Sequence, residues 1–143
     1  PEAVHVVEVS SFQLELTQRL PARAATVLNI SADHIDRHGD IDHYAALKAR
    51  IFKAADVAVI NADDARVDAM NTGSAAVARF GEAENADYQL LEVSGARHLA
   101  RNDQPWLACD QLRLAGRHNQ LNDSDVCKIL NNPKKSFSVS ISF

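Results

Sequence analysis

Three short apolar runs, set at intervals along the first half of the chain, do most to limit what it can fold into. Val4 to Val9, Ala24 to Ile30 and Asp56 to Asn61 are rich in Val, Ile and Ala and carry little polar alternation. Runs of that length suit strands buried on both faces of a parallel sheet. Between them, Phe12 to Leu20 reads as a short helix closed by Pro21. Asp42 to Ala55 reads as a longer helix with Asp42 as its cap. Ser31 to Asp42 is polar and contains Gly39, so a loop or broken turn is predicted, and Asp63 to Met70 reads as a short helix.

After Met70 the pattern changes. Ala75 to Phe80, Tyr88 to Val93, Trp106 to Cys109 and Gln111 to Leu114 are short strand candidates with Gly and polar residues between them. Strand–helix alternation followed by several short strands predicts an α/β fold, a parallel core carrying a small antiparallel extension.

At 143 residues the chain is long enough for one domain with a real core. A net charge of -4 gives no electrostatic reason to bind nucleic acid or an acidic membrane. Nothing approaches a continuous apolar run of about 18 residues, and the start lacks the basic and apolar regions of a secretory signal. Cys109 and Cys127 do not form a metal-type pair. One disulfide could join them, but a reduced, cytoplasmic protein is the simpler expectation. The ends read as those of a fragment. The chain enters a strand-like run almost at Pro1, and Asp123 to Phe143 is rich in Ser and Asn, with Pro133-Lys134-Lys135 ahead of an alternating Ser-Phe-Ser-Val-Ser-Ile-Ser-Phe.

Three features carry chemistry. Counting about 100° per residue from Tyr44, the residues Leu47, Ile51, Phe52 and Ala55 make one apolar stripe, and Lys48 falls inside it. Arg50 and Lys53 point elsewhere, as surface cations should. A lysine there either snorkels its ammonium to water or is buried with a lowered pKa, able to act as a nucleophile or to take up carbon dioxide as a carbamate. Glu8 interrupts the first valine run at its C-terminal end, the side of an open α/β sheet where ligands bind. It either meets solvent there or holds Mg²⁺, which favours oxygen ligands and needs few from protein. Asp33-His34-Ile35-Asp36-Arg37-His38 follows the second strand at the same sheet edge, a solvated loop or a metal or phosphate site.

These segments resemble, in order and spacing, the central domain of the Mur ligases. The resemblance runs through Glu8-Val9-Ser10-Ser11-Phe12-Gln13-Leu14-Glu15, Leu28-Asn29-Ile30 with Asp33 to Arg37, Tyr44 to Ile51, Asn61-Ala62-Asp63-Asp64, and Gly116-Arg117-His118-Asn119-Gln120-Leu121-Asn122. The Ser-Ser-Phe-Gln-Leu-Glu run looks most like the D-glutamate-adding branch.

The resemblance implies a parallel-sheet, ATPase-type central domain, truncated at both ends, over residues 1–122, with 123–143 a tail that does not match. It implies part of an ATP-dependent amide ligase of peptidoglycan synthesis. ATP would phosphorylate the carboxylate of UDP-N-acetylmuramoyl-L-alanine, and D-glutamate would attack the acyl phosphate. Glu8, His34 and a carbamylated Lys48 would hold a Mg²⁺, and Asp33 would lie beside the reacting centre. Ser10 and Gln13 would lie along the UDP-muramoyl substrate, and Asn119 and Asn122 would face ATP. No nucleic acid, membrane or obligate protein partner is implied. No G-x-x-x-x-G-K-[ST] occurs among the 143 residues, so the chain by itself is predicted to lack ligase activity. A fragment of another Mur or folylpolyglutamate-type ligase, or a non-catalytic module on the same scaffold, are the competing expectations.

Overall fold

The computed structural model describes residues 5–31, 35–73, 75–111 and 138–142, with 35, 36 and 138–142 described by their backbone alone. In chain order the elements are β1 (His5–Glu8), α1 (Ser11–Leu16), β2 (Ala22–Val27), α2 (Ile35–His38) and α3 (Ile41–Ala49). A 3₁₀ turn (Arg50–Ala54), β3 (Ala55–Asn61), α4 (Ala65–Asp68), β4 (Ala76–Phe80), β5 (Tyr88–Val93), β6 (Ala96–Arg101) and β7 (Gln104–Ala108) follow, then a 3₁₀ turn at Cys109–Gln111 and β8 (Ser138–Ser142). One sheet joins all the described strands in the order β1-β8-β2-β3-β4-β5-β6-β7. From β1 to β5 the neighbours are parallel, and β5, β6 and β7 are antiparallel. The α/β core with an antiparallel extension is therefore present.

The helices α1, α3 and α4 and the first 3₁₀ turn close over one face of the parallel strands. Leu14, Ala25, Val27, Tyr44, Ile51, Phe52, Ala58, Ile60 and Val67 pack there as one buried cluster. Ala24, Leu28, Val59 and Phe80 form a smaller cluster on the other side. β2 is thus buried on both faces, as its unbroken apolar run predicts. The first run is not. Val6 and Val7 are 50% and 45% exposed, because β1 lies at the sheet edge and pairs with β8 alone among the described strands.

The helices are shorter than their sequence windows. α1 stops at Leu16, where the Thr17 hydroxyl donates to the Gln13 carbonyl and the Arg50 guanidinium donates to the Glu15 and Thr17 carbonyls. Arg50 is therefore a half-buried clamp on the end of α1 and not a simple surface cation. The long helix is capped by Asp40, not Asp42: the Asp40 carboxylate accepts from the His43 N–H at 2.7 Å. Gly39, at φ +82°, turns the chain immediately before it, and the predicted loop also contains α2. The stretch Ala96–Arg101, not anticipated as a strand, is the middle of the meander. Its two hairpin turns, Ser94-Gly95 and Asn102-Asp103, have positive φ at both central residues, as type I′ turns require. Gln111 lies in a 3₁₀ turn, and the rest of the strand expected at Gln111 to Leu114 lies outside the described residues. Within the tail, 138–142 is a strand, seated in parallel between β1 and β2.

No helix among the described residues is long and apolar enough to cross a membrane. Cys109 is a free, buried thiol, and Cys127 lies outside the described residues. Burial pushes the Cys109 thiol above its usual 9.0; Asp110 adds to the rise, while Arg97 and a backbone bond at Leu99 oppose it. A raised thiol pKa in the fold stabilises fully below the unfolded value and loses that contribution as pH climbs through the folded one. Alkylation of Cys109 near pH 8 is expected to be slow in the native chain and to accelerate in denaturant. Equal rates in both states would contradict the burial.

Candidate functional site

The site is built at the C-terminal edge of the parallel strands, where the chain leaves β1, β2 and β3. The turn after β3 ties these ends together. The Asn61 side-chain amide donates to the Leu28 carbonyl at 2.7 Å, and Asp64 accepts from the Ile30 N–H at 2.8 Å. Asp64 also caps α4, accepting from Arg66 and Val67 N–H. Asp63 reaches the next connection, accepting from the Glu82 and Ala83 N–H groups at 2.8 to 2.9 Å. Gly81 is required beside it, since a Cβ there would sit 2.7 Å from the Asp63 carboxylate. The Asn61-Ala62-Asp63-Asp64 motif is therefore the fastening of the ligand edge, a role its sequence alone did not reveal. Asp64→Ala strips an acceptor from three backbone donors and is expected to cost about 2 to 3 kcal/mol in urea unfolding. A loss below about 0.5 kcal/mol would contradict that role.

Glu8 ends β1 with its side chain exposed, opposite Ile141 of β8 in the register. Ser10 and Gln13 follow as a capping box at the start of α1. The Ser10 hydroxyl accepts from the Gln13 N–H, while the Gln13 side-chain oxygen accepts from the Ser10 N–H at 2.8 Å. Both are thus engaged with each other, which fixes the conformation of the turn directly after Glu8.

Lys48 is the sharpest feature. It lies on α3 between Tyr44, Leu47, Ile51 and Phe52, and it is only 1% exposed. Tyr44, Leu47 and Lys48 are buried together on α3 as the helical period predicts, but the helix ends at Ala49, so Ile51 and Phe52 are buried on the 3₁₀ turn and Ala55 opens β3. Snorkelling is overturned, because the whole Lys48 side chain is inside, ammonium included. Its Nζ lies 5.2 Å from the Tyr44 ring centroid, within cation–π range. A cation so enclosed is costly to bury unless contacts of this kind repay it or its charge is changed by chemistry.

A buried polar pair, missed in the sequence, joins α1 to α2. Ser11 Oγ and His38 Nε2 share a hydrogen bond of 3.1 Å, with both residues buried. The His38 ring stacks on Phe12 on one side and on Tyr44 on the other, at 5.3 and 5.2 Å between centroids. Only the polar character of the 33–38 segment hinted at it.

Asp33, His34, Asn119 and Asn122 lie outside the described residues. No group of three or more His, Cys, Asp or Glu side chains able to hold a metal occurs among the described residues. The donors that are described are a carboxylate on Glu8 and the amine of Lys48. The carbamate form of that amine would be a hard oxygen ligand, and such a pair suits Mg²⁺, which takes one or two protein carboxylates and completes its shell with water and phosphate.

Comparison with known proteins agrees with this architecture. The Mur ligase middle domain, as a family, matches residues 2–126. A UDP-N-acetylmuramoylalanine–D-glutamate ligase of Aromatoleum aromaticum is 49% identical over 120 residues, which are 82% of this chain and 26% of the relative. The Pasteurella multocida protein of the same name is 46% identical over 121 residues, 83% of this chain and 27% of its own length. That of Vibrio cholerae is 37% identical over 138 residues, 96% of this chain and 31% of the relative. The chain spans about a quarter to a third of the length of the curated relatives it matches.

Proposed function

The chain belongs to the Mur ligase family through its middle domain, and on that premise we propose that it carries the Mg²⁺-binding part of the site of a D-glutamate-adding ligase. The reaction is ATP-dependent amide formation between UDP-N-acetylmuramoyl-L-alanine and D-glutamate. The γ-phosphoryl group passes to the substrate carboxylate with ADP leaving, and the amine then displaces phosphate from the acyl carbon. Residues 1–122 are assigned this role, and the strand at 138–142 is seated in the same sheet between β1 and β2.

The observation that carries the reading is the fully buried Lys48 on the helix behind the ligand edge. As a neutral amine its Nζ attacks carbon dioxide, forms an N–C bond and releases a proton, so that a carboxylate replaces the cation. Glu8, His34 and that carbamate are assigned to Mg²⁺. When bound, Mg²⁺ neutralises phosphate and acyl-phosphate charge. Ser10 and Gln13 are assigned to the UDP-muramoyl substrate, and their capping box holds the Gln13 amide in one orientation for a polar group. Asp33 is assigned to the reacting carboxylate, and Asn119 and Asn122 are assigned to ATP.

Transplantation tests this reading. In a chimaera, residues 1–122 replace the matching segment of the Aromatoleum aromaticum ligase. The chimaera is expected to release phosphate only when both D-glutamate and UDP-N-acetylmuramoyl-L-alanine are supplied.

A further inference from the structure

Five side chains stand in one continuous column across the three helices α1, α2 and α3 beside the ligand edge. The Arg37 guanidinium lies 4.8 Å from the Phe12 ring, Phe12 stacks on His38, His38 stacks on Tyr44, and Tyr44 faces the Lys48 ammonium at 5.2 Å. A cation thus caps each end of a three-ring stack. His38 sits at its centre and is also pinned sideways by Ser11. We infer that His38 is a positioning residue for Lys48, acting through the Tyr44 ring and registering α1 against α3.

The elements involved explain why such a device is needed. α1 has 6 residues and α2 only 4, too short to be stable in isolation, so tertiary contacts must set where they lie. Ser11 opens α1 immediately after the capping Ser10, and His38 closes α2 immediately before the Gly39 turn into α3. One imidazole therefore fixes the substrate-side helix, the approach to α3 and the ring against which the lysine rests. The ring must be flat to stack on both sides and must carry a nitrogen to meet Ser11; among the common side chains histidine does both in this volume.

This inference rests on the reading of Lys48 as a site residue, and its test separates the two. The readout is the ¹H,¹³C signal of the Lys48 ε-methylene in the 143-residue chain, assigned by its loss in Lys48→Gln. In the wild-type chain it is expected upfield of the other lysines, shifted by the Tyr44 ring. His38→Ala should move it towards the bulk lysine position, and His38→Phe, which keeps the stack without the Ser11 bond, should restore only part of the shift. Ser11→Ala, which leaves every ring in place, should give an intermediate shift and supplies the measurement if His38→Ala does not fold. An unchanged Lys48 signal in folded His38→Ala, or in Ser11→Ala where only that variant folds, overturns the inference. The reading of Lys48 is tested separately by a carbamate resonance from ¹³C-bicarbonate that is absent in Lys48→Gln. Its absence from the wild-type chain overturns the carbamate and leaves the ring-shift result to judge His38.

Discussion

Lys48→Met in the chimaera is expected to lower ligase turnover about a hundredfold or more while leaving the unfolding midpoint unchanged or raised. The two halves of that result come from one fact, that Lys48 is buried to 1% exposure in an apolar stripe. Methionine fills a similar volume without a charge, and replacing a buried charge by a well-packed apolar group is often neutral or stabilising. A lysine kept there for packing alone would show the opposite pattern, with activity retained and stability reduced. Lys48→Ala adds a second reading. It opens a space where the amine lay, so a short-chain carboxylic acid should restore part of the activity while bicarbonate should not. Wild-type turnover in Lys48→Met would remove the lysine from the chemistry.

The largest stability effect is expected at Phe52. Its side chain is 1% exposed at the turn that delivers α3 onto β3, within the cluster that also holds Ile51, Tyr44, Ala58 and Ile60. Truncation to alanine loses the transfer free energy of the ring and leaves a cavity that strands on one side and a helix on the other cannot collapse into. The expected cost is about 3 to 5 kcal/mol, a large part of the roughly 5 to 15 kcal/mol that holds a typical domain. Ile51→Val, at 0% exposure in the same cluster, removes one methylene and should cost about 0.5 to 1.5 kcal/mol. Urea unfolding of both variants checks the ranking. A Phe52→Ala loss below about 1 kcal/mol would mean that the cluster is not the core.

What could be read in the sequence was whatever repeats with a backbone period. The burial of Tyr44, Leu47 and Lys48 on one face of α3 follows from a 3.6-residue spacing, although the helix gives way to a 3₁₀ turn at Arg50 and not at Ala55. The burial of β2 follows from an unbroken apolar run. The features that were missed depend on contacts across the chain or on single dihedrals. Ser11 and His38 are 27 residues apart, and their meeting depends on how two very short helices lie together. Asp40 and Asp42 are both capable caps, and the choice is made by Gly39, whose φ of +82° leaves Asp40 as the first extended residue, at φ -148°. β1 has the composition of a central strand but lies at the edge, since composition reports preference for burial and not the neighbours that supply it. β6 was overlooked because Arg97, His98 and Arg101 dilute its apolar residues, as suits a meander strand with one wet face. The alternation in the tail was visible, but its seat between β1 and β2 was not, because both partners lie more than a hundred residues away.

The most direct test of the central claim is amino-acid-dependent phosphate release by the chimaera carrying residues 1–122. The account expects release that requires UDP-N-acetylmuramoyl-L-alanine, is specific for D-glutamate over L-glutamate and L-lysine, and disappears in Lys48→Met. A chimaera that unfolds cooperatively at the host's midpoint yet releases no phosphate, or releases it equally without Lys48, would contradict it.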